Sequence, residues 1–262
     1  MNILITGGTG YIAKNLYEGL KDKHNVTTIS RDDFDLTNRN LTDNFFKEKY
    51  FDVVLHTAIA GGSRLRKDTE DVLDQNLMMY YNLLANESKY KKFINIGSGA
   101  ETFAQQEPYG LSKHVVNYSM KNKTNFHNVR IFAVFDENEL DSRFIKASVL
   151  KYLNDQPIEI HQDKLMDFFY MKDFIKLIEY CISAESLPKE VDCSYRNIHH
   201  LKDIARIINT LDENTVPIKI VNKKIGVGYV GTFTNLEIDY IGIEEGIESV
   251  FNELKKRNDK TN

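Results

Sequence analysis

Three side chains in the middle of the chain have the types and the spacing of a proton-transfer site. Tyr109 and Lys113 are four positions apart, a spacing that places both side chains on one face of a helix. A lysine ammonium beside a tyrosine favours the phenolate and so lowers the pKa of the phenol. Such a tyrosine can exchange a proton with a carbonyl or alkoxide oxygen, while a hydroxyl such as that of Ser98 hydrogen-bonds the same oxygen. We therefore predict hydride-transfer chemistry with Ser98, Tyr109 and Lys113 as the catalytic residues.

A glycine-rich stretch near the N-terminus, "TGGTGYIA", predicts where a dinucleotide would bind. Gly7, Gly10 and Ala13 fit the spacing T-G-x-x-G-x-x-G/A, and Gly8, Gly10 and Ala13 fit the related G-x-G-x-x-G/A. Glycines let the backbone turn sharply and approach a pyrophosphate, and the N-terminus of the following helix attracts its negative charge. The stretch follows an apolar run and opens a segment with helical periodicity, which is the context that such a motif requires.

The end of the second predicted strand bears on the choice of cofactor. An NAD site usually has an acidic residue there, about 20 residues beyond the glycines, whereas an arginine suits the 2′-phosphate of NADP. Arg31 occupies that position, and Lys14, just after the glycine turn, adds a second positive charge. The sequence therefore favours NADP(H), while the neighbouring Asp32 and Asp33 leave NAD(H) open.

Short apolar runs recur along the first half of the chain and predict the elements that position these residues. Helical stretches lie between most of the runs, and this alternation predicts right-handed βαβ units and a parallel sheet covered on both faces. The sequence thus predicts an α/β fold with a Rossmann-type doubly wound parallel sheet, and Ser98 falls at the carboxyl edge, where such sheets bind ligands. The predicted strands are 3–6, 26–29, 53–56, 93–96 and 129–132.

Beyond Phe135 the alternation gives way to amphipathic stretches that predict a smaller C-terminal α/β lobe. The predicted helices there are 144–154, 174–182 and 201–211. We predict two domains: an NADP-binding Rossmann domain over 1–135, with 165–198 returning to it, and a substrate-binding lobe over 136–164 and 199–262.

The composition argues against several classes of function. With 262 residues and a net charge of −4, the chain has no basic field that would attract nucleic acid or an anionic membrane. The two cysteines, Cys181 and Cys193, lack C-x-x-C spacing, so we expect neither a metal site nor a disulfide framework. No stretch reaches the roughly 18 apolar residues of a membrane span, and no leader pattern precedes the first strand. We expect a cytoplasmic protein.

Several motifs together resemble the extended short-chain dehydrogenases/reductases that act on nucleotide sugars, and most closely the GDP-fucose synthase-like branch. Besides "TGGTGYIA" and "YGLSK", the segment "RDDFDL" carries Asp35 and Leu36 at the family's adenine-side Asp-Leu pair. "VVLHTAIAGG" resembles the third-strand segment that lines the cofactor, with Ala58 and Ala60 in it. Asn76 matches a structural asparagine of the next helix, and "DFFYMKDF" resembles the family segment R-D-F-x-Y-V-x-D.

The resemblance implies an NADP(H)-dependent enzyme of a nucleoside-diphosphate sugar. It also implies a homodimer that forms through a four-helix contact, with two helices from each subunit. The implied substrate contacts include Ser98 and Tyr109. The expected cofactor-binding residues are Gly7, Gly10, Tyr11, Ile12, Arg31, Asp35, Leu36, Ala58, Ala60 and Lys113.

Two departures from the family pattern narrow the expected reaction. GDP-fucose synthases have a cysteine two positions after the catalytic serine for epimerisation at carbons 3 and 5, and Ala100 stands there in this chain. The arginine of R-D-F, a common diphosphate contact, is replaced by Met166. Another cation must then hold the nucleotide, and Arg143 and Lys146 are the candidates by position, although both also suit an ordinary solvated helix.

These observations favour an NADPH-dependent 4-ketoreductase of a nucleoside-diphosphate 4-keto-6-deoxy sugar, with Tyr109 as proton donor. A 4-epimerase that retains its NAD(P) would use the same three residues and is the first alternative. A dinucleotide-sensing protein without catalysis is the second, although a sensor would not need the proton-transfer residues.

Overall fold

The computed structural model describes residues 1–63 and 66–259. The first half of the chain alternates strands and helices: β1 (Asn2–Thr6), α1 (Tyr11–Leu20), β2 (Asn25–Ile29), α2 (Arg39–Phe46), β3 (Phe51–His56), α3 (Asp71–Leu84), β4 (Tyr90–Ser98), α4 (Ala100–Phe103), α5 (Pro108–Met120) and β5 (Phe126–Ile131). The second half contains β6 (Val134–Phe135), α6 (Phe144–Leu153), β7 (Ile158–Gln162), β8 (Leu165–Met166), β9 (Phe169–Tyr170), α7 (Met171–Ser183), β10 (Glu190–Asp192), β11 (His199–His200), α8 (Leu201–Ile208), β12 (Ile218–Asn222) and α9 (Ile243–Asp259).

The chain divides into two compact units. Unit 1 consists of Met1–Ile131 and Leu177–Val191, and unit 2 consists of Phe132–Lys176 and Asp192–Asn262. The segment that returns to unit 1 is thus shorter than the predicted 165–198. The difference arises because β8 and β9 pair with β11 and β6, which belong to unit 2.

Unit 1 is built around a six-stranded sheet with the order β10-β5-β4-β3-β1-β2. β1 to β5 pair in parallel, as the alternation of strands and helices predicted. The central strands β1, β3 and β4 are buried along most of their length because they carry apolar runs, and the helices cover them with apolar side chains. A core cluster on this sheet includes Leu4, Phe46, Val54, Tyr80, Phe93 and Phe126.

The register of the sheet brings the strand ends of the site together. Thr6, at the end of β1, pairs with His56 at the end of β3. Ser98, at the end of β4, pairs with Ile131 at the end of β5. The carboxyl edge therefore carries the glycine turn, the segment after β3 and the predicted catalytic serine.

Several predicted boundaries differ from the structure by a few residues, and two of them have an identifiable local cause. Ser98 is the last residue of β4 and does not follow the strand, because the ladder with β5 continues through Gly97 and Ser98. The last helix predicted from periodicity ends at Ile208, before Leu211. It stops there because the Asn209 side chain donates to the carbonyl of Val216 at 2.9 Å and accepts from its N–H at 3.0 Å, which turns the chain away.

Unit 2 is a small α/β assembly with three two-stranded pairings. β8 pairs antiparallel with β11, β7 pairs in parallel with β12, and β6 pairs in parallel with β9. Asp173, on α7, is fully buried and ties this unit together. Its carboxylate accepts hydrogen bonds from the Tyr195 hydroxyl at 2.6 Å and from the N–H groups of Ile241 and Gly242 at 2.8 and 2.9 Å.

Candidate active site

The glycine turn between β1 and α1 has the geometry of a pyrophosphate cradle. Gly7 has a φ of 72°, and a Cβ on it would lie 2.8 Å from the Cα of Ala58. The N–H of Gly10 donates to the Gly7 carbonyl at 2.8 Å and closes the turn. Gly10 caps α1 without a side-chain hydrogen bond, and the first helical turn has no acidic residue. The positive end of the helix dipole of α1 therefore lies at the glycine turn, where it favours an anion.

A cleft of about 250 Å³ opens from this turn toward the end of β2. The predicted cofactor residues that line it are Gly7, Gly10, Arg31, Asp35, Leu36 and Ala58. Thr9, Ser30, Asp32, Phe34, Thr57, Ile59 and Met79 line it as well. The predicted contacts Tyr11, Ile12, Ala60 and Lys113 are not among its lining residues. The cleft and the turn together fit the adenosine and pyrophosphate parts of a dinucleotide, so the residues present suit such a cofactor.

At the β2 end of the cleft, Asp32 lines the cleft and its neighbour Asp33 does not. The carboxylate of Asp33 accepts from the N–H and the hydroxyl of Ser30 at 2.8 and 3.1 Å. Arg31 is exposed, with its Nη2 3.5 Å from the Gln75 side-chain oxygen, and it lines the cleft beside Asp32. A guanidinium and one carboxylate thus lie at the position that distinguishes NADP from NAD.

Asp35 has a structural role at the same place. Its carboxylate accepts from the N–H of Thr37 at 2.9 Å. This hydrogen bond, with help from the charge of Arg31, holds the pKa of Asp35 below its ordinary value. The carboxylate therefore stays ionised and fixes the backbone that lines the cleft.

The three predicted catalytic residues come from β4 and from the first turns of α5. Ser98 is only 7% exposed, and its Oγ accepts from the N–H of Ala100 at 3.2 Å. Lys113 is 6% exposed, and its Nζ donates to the carbonyl of Ile96 at 2.5 Å. Burial lowers the pKa of Lys113 to about 8, partly offset by the charge of Glu101. The ammonium is therefore held against β4, beside the strand end that carries Ser98.

Tyr109 lies next to this ammonium. The Lys113 Nζ is 6.0 Å from the centroid of the Tyr109 ring. The ring packs on the backbone of Gly62, where a Cβ would lie 2.7 Å from its Cε2. α5 begins with Pro108 in its first turn, and a Cβ on Gly110 would lie 2.0 Å from the carbonyl oxygen of Ala104. The glycine after the tyrosine thus lets α5 begin close to the segment that follows Ser98.

Asn76 connects the cofactor side of the site to α5. Its amide accepts from the N–H of Ala60 at 2.7 Å and donates to the carbonyl of the same residue at 3.1 Å. It also donates to the Ser112 hydroxyl at 2.9 Å, which in turn donates to the Tyr109 carbonyl at 2.7 Å. This asparagine therefore positions both Ala60 and the helix turn of Tyr109.

His56, at the end of β3, is neutral in this environment. It is buried, and its Nδ1 lies 2.9 Å from the hydroxyl oxygen of Thr6. Burial, followed by the charge of Lys113, lowers the pKa of His56 to about 3. A ring that stays neutral over the working range of pH suits a structural role better than acid–base chemistry.

Glu101 is a buried residue of this site that the sequence analysis did not identify. Its carboxylate accepts from the N–H of Ser98 at 2.8 Å and from the Asn128 amide at 2.9 Å. Arg130 Nε lies 3.7 Å from the same carboxylate. The signal was present as the pattern Ser-x-x-Glu in "SGAE", which is typical of a helix start.

The predicted substrate cations Arg143 and Lys146 lie in unit 2 and have acidic partners there. Arg143 Nε donates to Glu139 at 2.7 Å. Lys146 Nζ donates to the Glu139 carbonyl at 2.7 Å and is 2.8 Å from the Asp141 carboxylate. Met166, which replaces the family arginine, is buried. The role of the two cations in binding a diphosphate stays a prediction.

The described part of the chain contains neither a metal-binding cluster nor a membrane-spanning helix. Within residues 1–63 and 66–259, no group of three or more His, Cys, Asp and Glu side chains is placed to hold a metal ion. No helix in the same ranges is both long and apolar enough to span a bilayer.

The chain belongs to the NAD dependent epimerase/dehydratase family, whose model matches residues 3–192. This match agrees with the resemblance seen in the sequence motifs. No curated protein matches the chain significantly by sequence.

Solved structures with the same fold cover nearly the whole chain. A GDP-mannoheptose C4 reductase from Campylobacter jejuni with NADP bound has a TM-score of 0.76 at 16% identity, covering 97% of this chain and 98% of that one. A GDP-L-fucose synthetase from Naegleria fowleri bound to NADP has a TM-score of 0.75 at 16% identity, with 98% and 93% covered. A UDP-glucuronic acid 4-epimerase from Bacillus cereus in complex with UDP-glucuronic acid and NAD has a TM-score of 0.75 at 18% identity, with 98% and 100% covered. At such identities the likeness establishes the fold, and the predicted Rossmann-type α/β class is confirmed.

Proposed function

We propose that the protein is an NADPH-dependent reductase of a nucleoside-diphosphate 4-keto sugar, with a 4-keto-6-deoxy sugar as the expected substrate. The observation that carries this proposal is the placement of Ser98 and Lys113 together at the β4 end, with Tyr109 beside the ammonium. The family match supports nicotinamide chemistry. The similar structures named as NADP-bound reductases or synthetases of GDP-sugars support this type of substrate.

The cofactor would be held by the glycine turn and the cleft. NADPH, when bound, supplies the hydride for the carbonyl carbon. Gly7 and Gly10 would hold the pyrophosphate at the N-terminus of α1, and Ala58 would pack against it. Arg31 would face the 2′-phosphate, and this cation is the reason for preferring NADPH to NADH.

The side chains of the site would complete the reaction with a proton. Tyr109 would protonate the oxygen of the reduced carbon through its phenol. The Ser98 Oγ already accepts the N–H of Ala100, so its own proton is available to hydrogen-bond the substrate oxygen. The ammonium of Lys113 would stabilise the phenolate that Tyr109 becomes after the transfer, and it would also contact the nicotinamide ribose.

Ala100 bears on the choice between reaction types. A side chain that exchanges a proton at this position would support epimerisation at carbons 3 and 5. The methyl group of Ala100 has no exchangeable proton. A 4-epimerase remains the second candidate because it needs only the same three residues, and one similar structure is named as a 4-epimerase with NAD. Stoichiometric oxidation of NADPH would support reduction, and sugar interconversion with the cofactor retained would support epimerisation.

Replacement of Tyr109 by Phe tests the proposal. NADPH oxidation would be followed by absorbance with a panel of 4-keto-6-deoxy nucleotide sugars. We expect kcat to fall by about 10²–10⁴-fold because the proton donor is lost. Tyr50→Phe is the matched control, since Tyr50 is exposed outside the site and its replacement should leave the rate unchanged. An unchanged rate in a folded Tyr109→Phe protein contradicts the assignment. Absence of turnover across the panel with NADPH still bound would favour the sensing alternative.

We further propose a homodimer that forms through α3 and α5. These two helices pack against each other. Their outer faces expose large apolar side chains, namely Met78, Tyr81, Leu111 and Tyr118. Apolar side chains grouped in this way on two adjacent helices fit a four-helix contact with a second copy. A cytoplasmic location stays a prediction from the sequence.

A further inference from the structure

A buried carboxylate lies directly behind the catalytic serine. Glu101 is 2% exposed and follows Ser98 by three residues. Its Oε1 accepts the N–H of Ser98, and the Ser98 Oγ accepts the N–H of Ala100, an arrangement that resembles the reciprocal contacts of a capping box. A capping box explains the glutamate's contact with Ser98. It does not require the carboxylate to be buried, nor does it explain the remaining partners.

The further partners come from β5. The Asn128 amide donates to Oε2 at 2.9 Å and to Oε1 at 3.2 Å, and its own oxygen accepts from Asn95 at 2.7 Å. Room for this cluster exists because residue 97 is a glycine, where a Cβ would lie 2.3 Å from Oε1 of Glu101. The strand that ends in Ser98 is therefore shaped around the glutamate.

The chemistry of these neighbours indicates that Glu101 is ionised. Burial raises the pKa of Glu101 above its ordinary value, while the N–H of Ser98, the charge of Arg130 and the amide of Asn128 lower it. The groups in hydrogen-bonding contact with the carboxyl group, Ser98 N–H and Asn128 Nδ2, are donors. A protonated carboxyl group would present a donor of its own to them. The ionised carboxylate, which only accepts hydrogen bonds, matches these two donors better than the protonated form does.

Two cations lie in this part of the site, and they differ in their hydrogen-bond partners. Arg130 Nε is 3.7 Å away, but the Arg130 guanidinium also donates to Glu190 at the edge of the sheet. Lys113 donates to the carbonyl of Ile96, a neutral group on the same strand segment. The charge of Glu101 acts on Lys113 against the effect of burial, and the nearby His56 is neutral. Lys113 Nζ contacts Ile96, and the Glu101 carboxylate contacts Ser98, two residues further along the same strand. This carboxylate is therefore placed to act as a counter-charge to the buried ammonium.

We propose that Glu101 is a positioning residue for the catalytic pair: its carboxylate fixes the backbone N–H of Ser98 and supplies the negative charge that the buried ammonium of Lys113 faces. The inference rests on the proposed function, in which Lys113 must be charged to stabilise the phenolate of Tyr109. Glu101 touches neither cofactor nor substrate in this role and acts through Ser98 and Lys113.

The ionisation of Lys113 tests this role without any turnover. Protein labelled with [ε-¹³C]lysine would be titrated by NMR in the wild type and in Glu101→Gln, with the Lys113 resonance assigned by its loss in Lys113→Arg. We expect the titration of Lys113 to move to lower pH by about one unit in Glu101→Gln, because an opposing charge is removed. Glu87→Gln is the matched control, since Glu87 is exposed and pairs with Lys123. An unchanged Lys113 titration in Glu101→Gln, or an equal shift in the control, overturns the proposal.

A second variant covers the case in which glutamine disrupts the fold. In Glu101→Gln the new amide nitrogen would meet the amide nitrogen of Asn128, whereas Glu101→Met removes the carboxylate without adding a donor. The same downward shift is expected in Glu101→Met, and an unchanged titration there also overturns the proposal. The alkaline limb of kcat/KM for NADPH oxidation should move to lower pH by the same amount. If no sugar nucleotide is reduced by the wild type, the proposed reaction fails while the lysine titration still decides the role of Glu101.

Discussion

The Nζ of Lys113 donates to the carbonyl oxygen of Ile96 at 2.5 Å, two residues before Ser98, the proposed catalytic serine, on the same strand. This contact fixes α5 against β4 beside the proposed catalytic site. It also buries the ammonium, which makes its protonation sensitive to pH near neutrality. Most lysines lose their proton only at a pH far above this range.

The activity should therefore fall on the alkaline side at an unusually low pH. Burial lowers the pKa of Lys113 to about 8, so the ammonium is present below that pH and is lost above it. Without it, the phenolate of Tyr109 loses its stabilisation, and kcat/KM should fall about tenfold per pH unit above this pKa. Lys113→Arg keeps a charge at all accessible pH values and should remove this limb. Steady-state profiles from about pH 6 to 10 measure both, and a wild-type profile flat beyond about pH 9 would refute the assignment.

Arg31 should determine the cofactor preference. Loss of a charge-assisted contact to the 2′-phosphate costs about 1.5–3 kcal/mol, which corresponds to roughly 10–100-fold in the dissociation constant. Arg31→Ala should weaken NADPH binding by that factor and leave NADH binding nearly unchanged, as measured by fluorescence titration. Arg39→Ala is the matched control, because Arg39 is exposed on α2 and pairs with Asp43. An equal loss of affinity for the two cofactors would show that Arg31 does not contact the 2′-phosphate.

Local patterns in the sequence were enough to predict the frame of the site. The glycine turn, the strand runs and the Tyr-Lys spacing on α5 depend on residues close together in the chain, and the structure shows each of these elements. For Glu101 the local pattern Ser-x-x-Glu indicates only a helix start. It does not reveal the buried cluster, because Asn128, which donates to the Glu101 carboxylate, comes from β5 and is 27 positions away. The partners of Arg143 were also missed, since a positive charge in a motif does not reveal that Glu139 already accepts from it.

Asp173 should account for a large share of the stability of unit 2. Its carboxylate accepts three hydrogen bonds within that unit, from Tyr195, Ile241 and Gly242. Asp173→Ala would leave the Tyr195 hydroxyl and two partly buried backbone N–H groups without this acceptor, and we expect it to lower the free energy of unfolding by about 3–5 kcal/mol. Asp203→Ala, which removes an exposed ion pair with Arg206, should cost under about 1 kcal/mol. Urea denaturation followed by circular dichroism compares the two, and similar costs would contradict the role given to Asp173.

Tyr118 should be important for the proposed dimer. Its side chain is 66% exposed on α5, beside the other apolar side chains of the α3–α5 face. A glutamate there would place an unpaired charge in the proposed four-helix contact, which is far more costly than leaving it in water. Light scattering should therefore give twice the chain mass of 30.3 kDa for the wild type and the single mass for Tyr118→Glu. Tyr50→Glu changes a tyrosine that is 50% exposed outside α3 and α5, and it should leave the dimer intact. A dimer that survives Tyr118→Glu but dissociates with Tyr50→Glu would place the contact elsewhere on the surface.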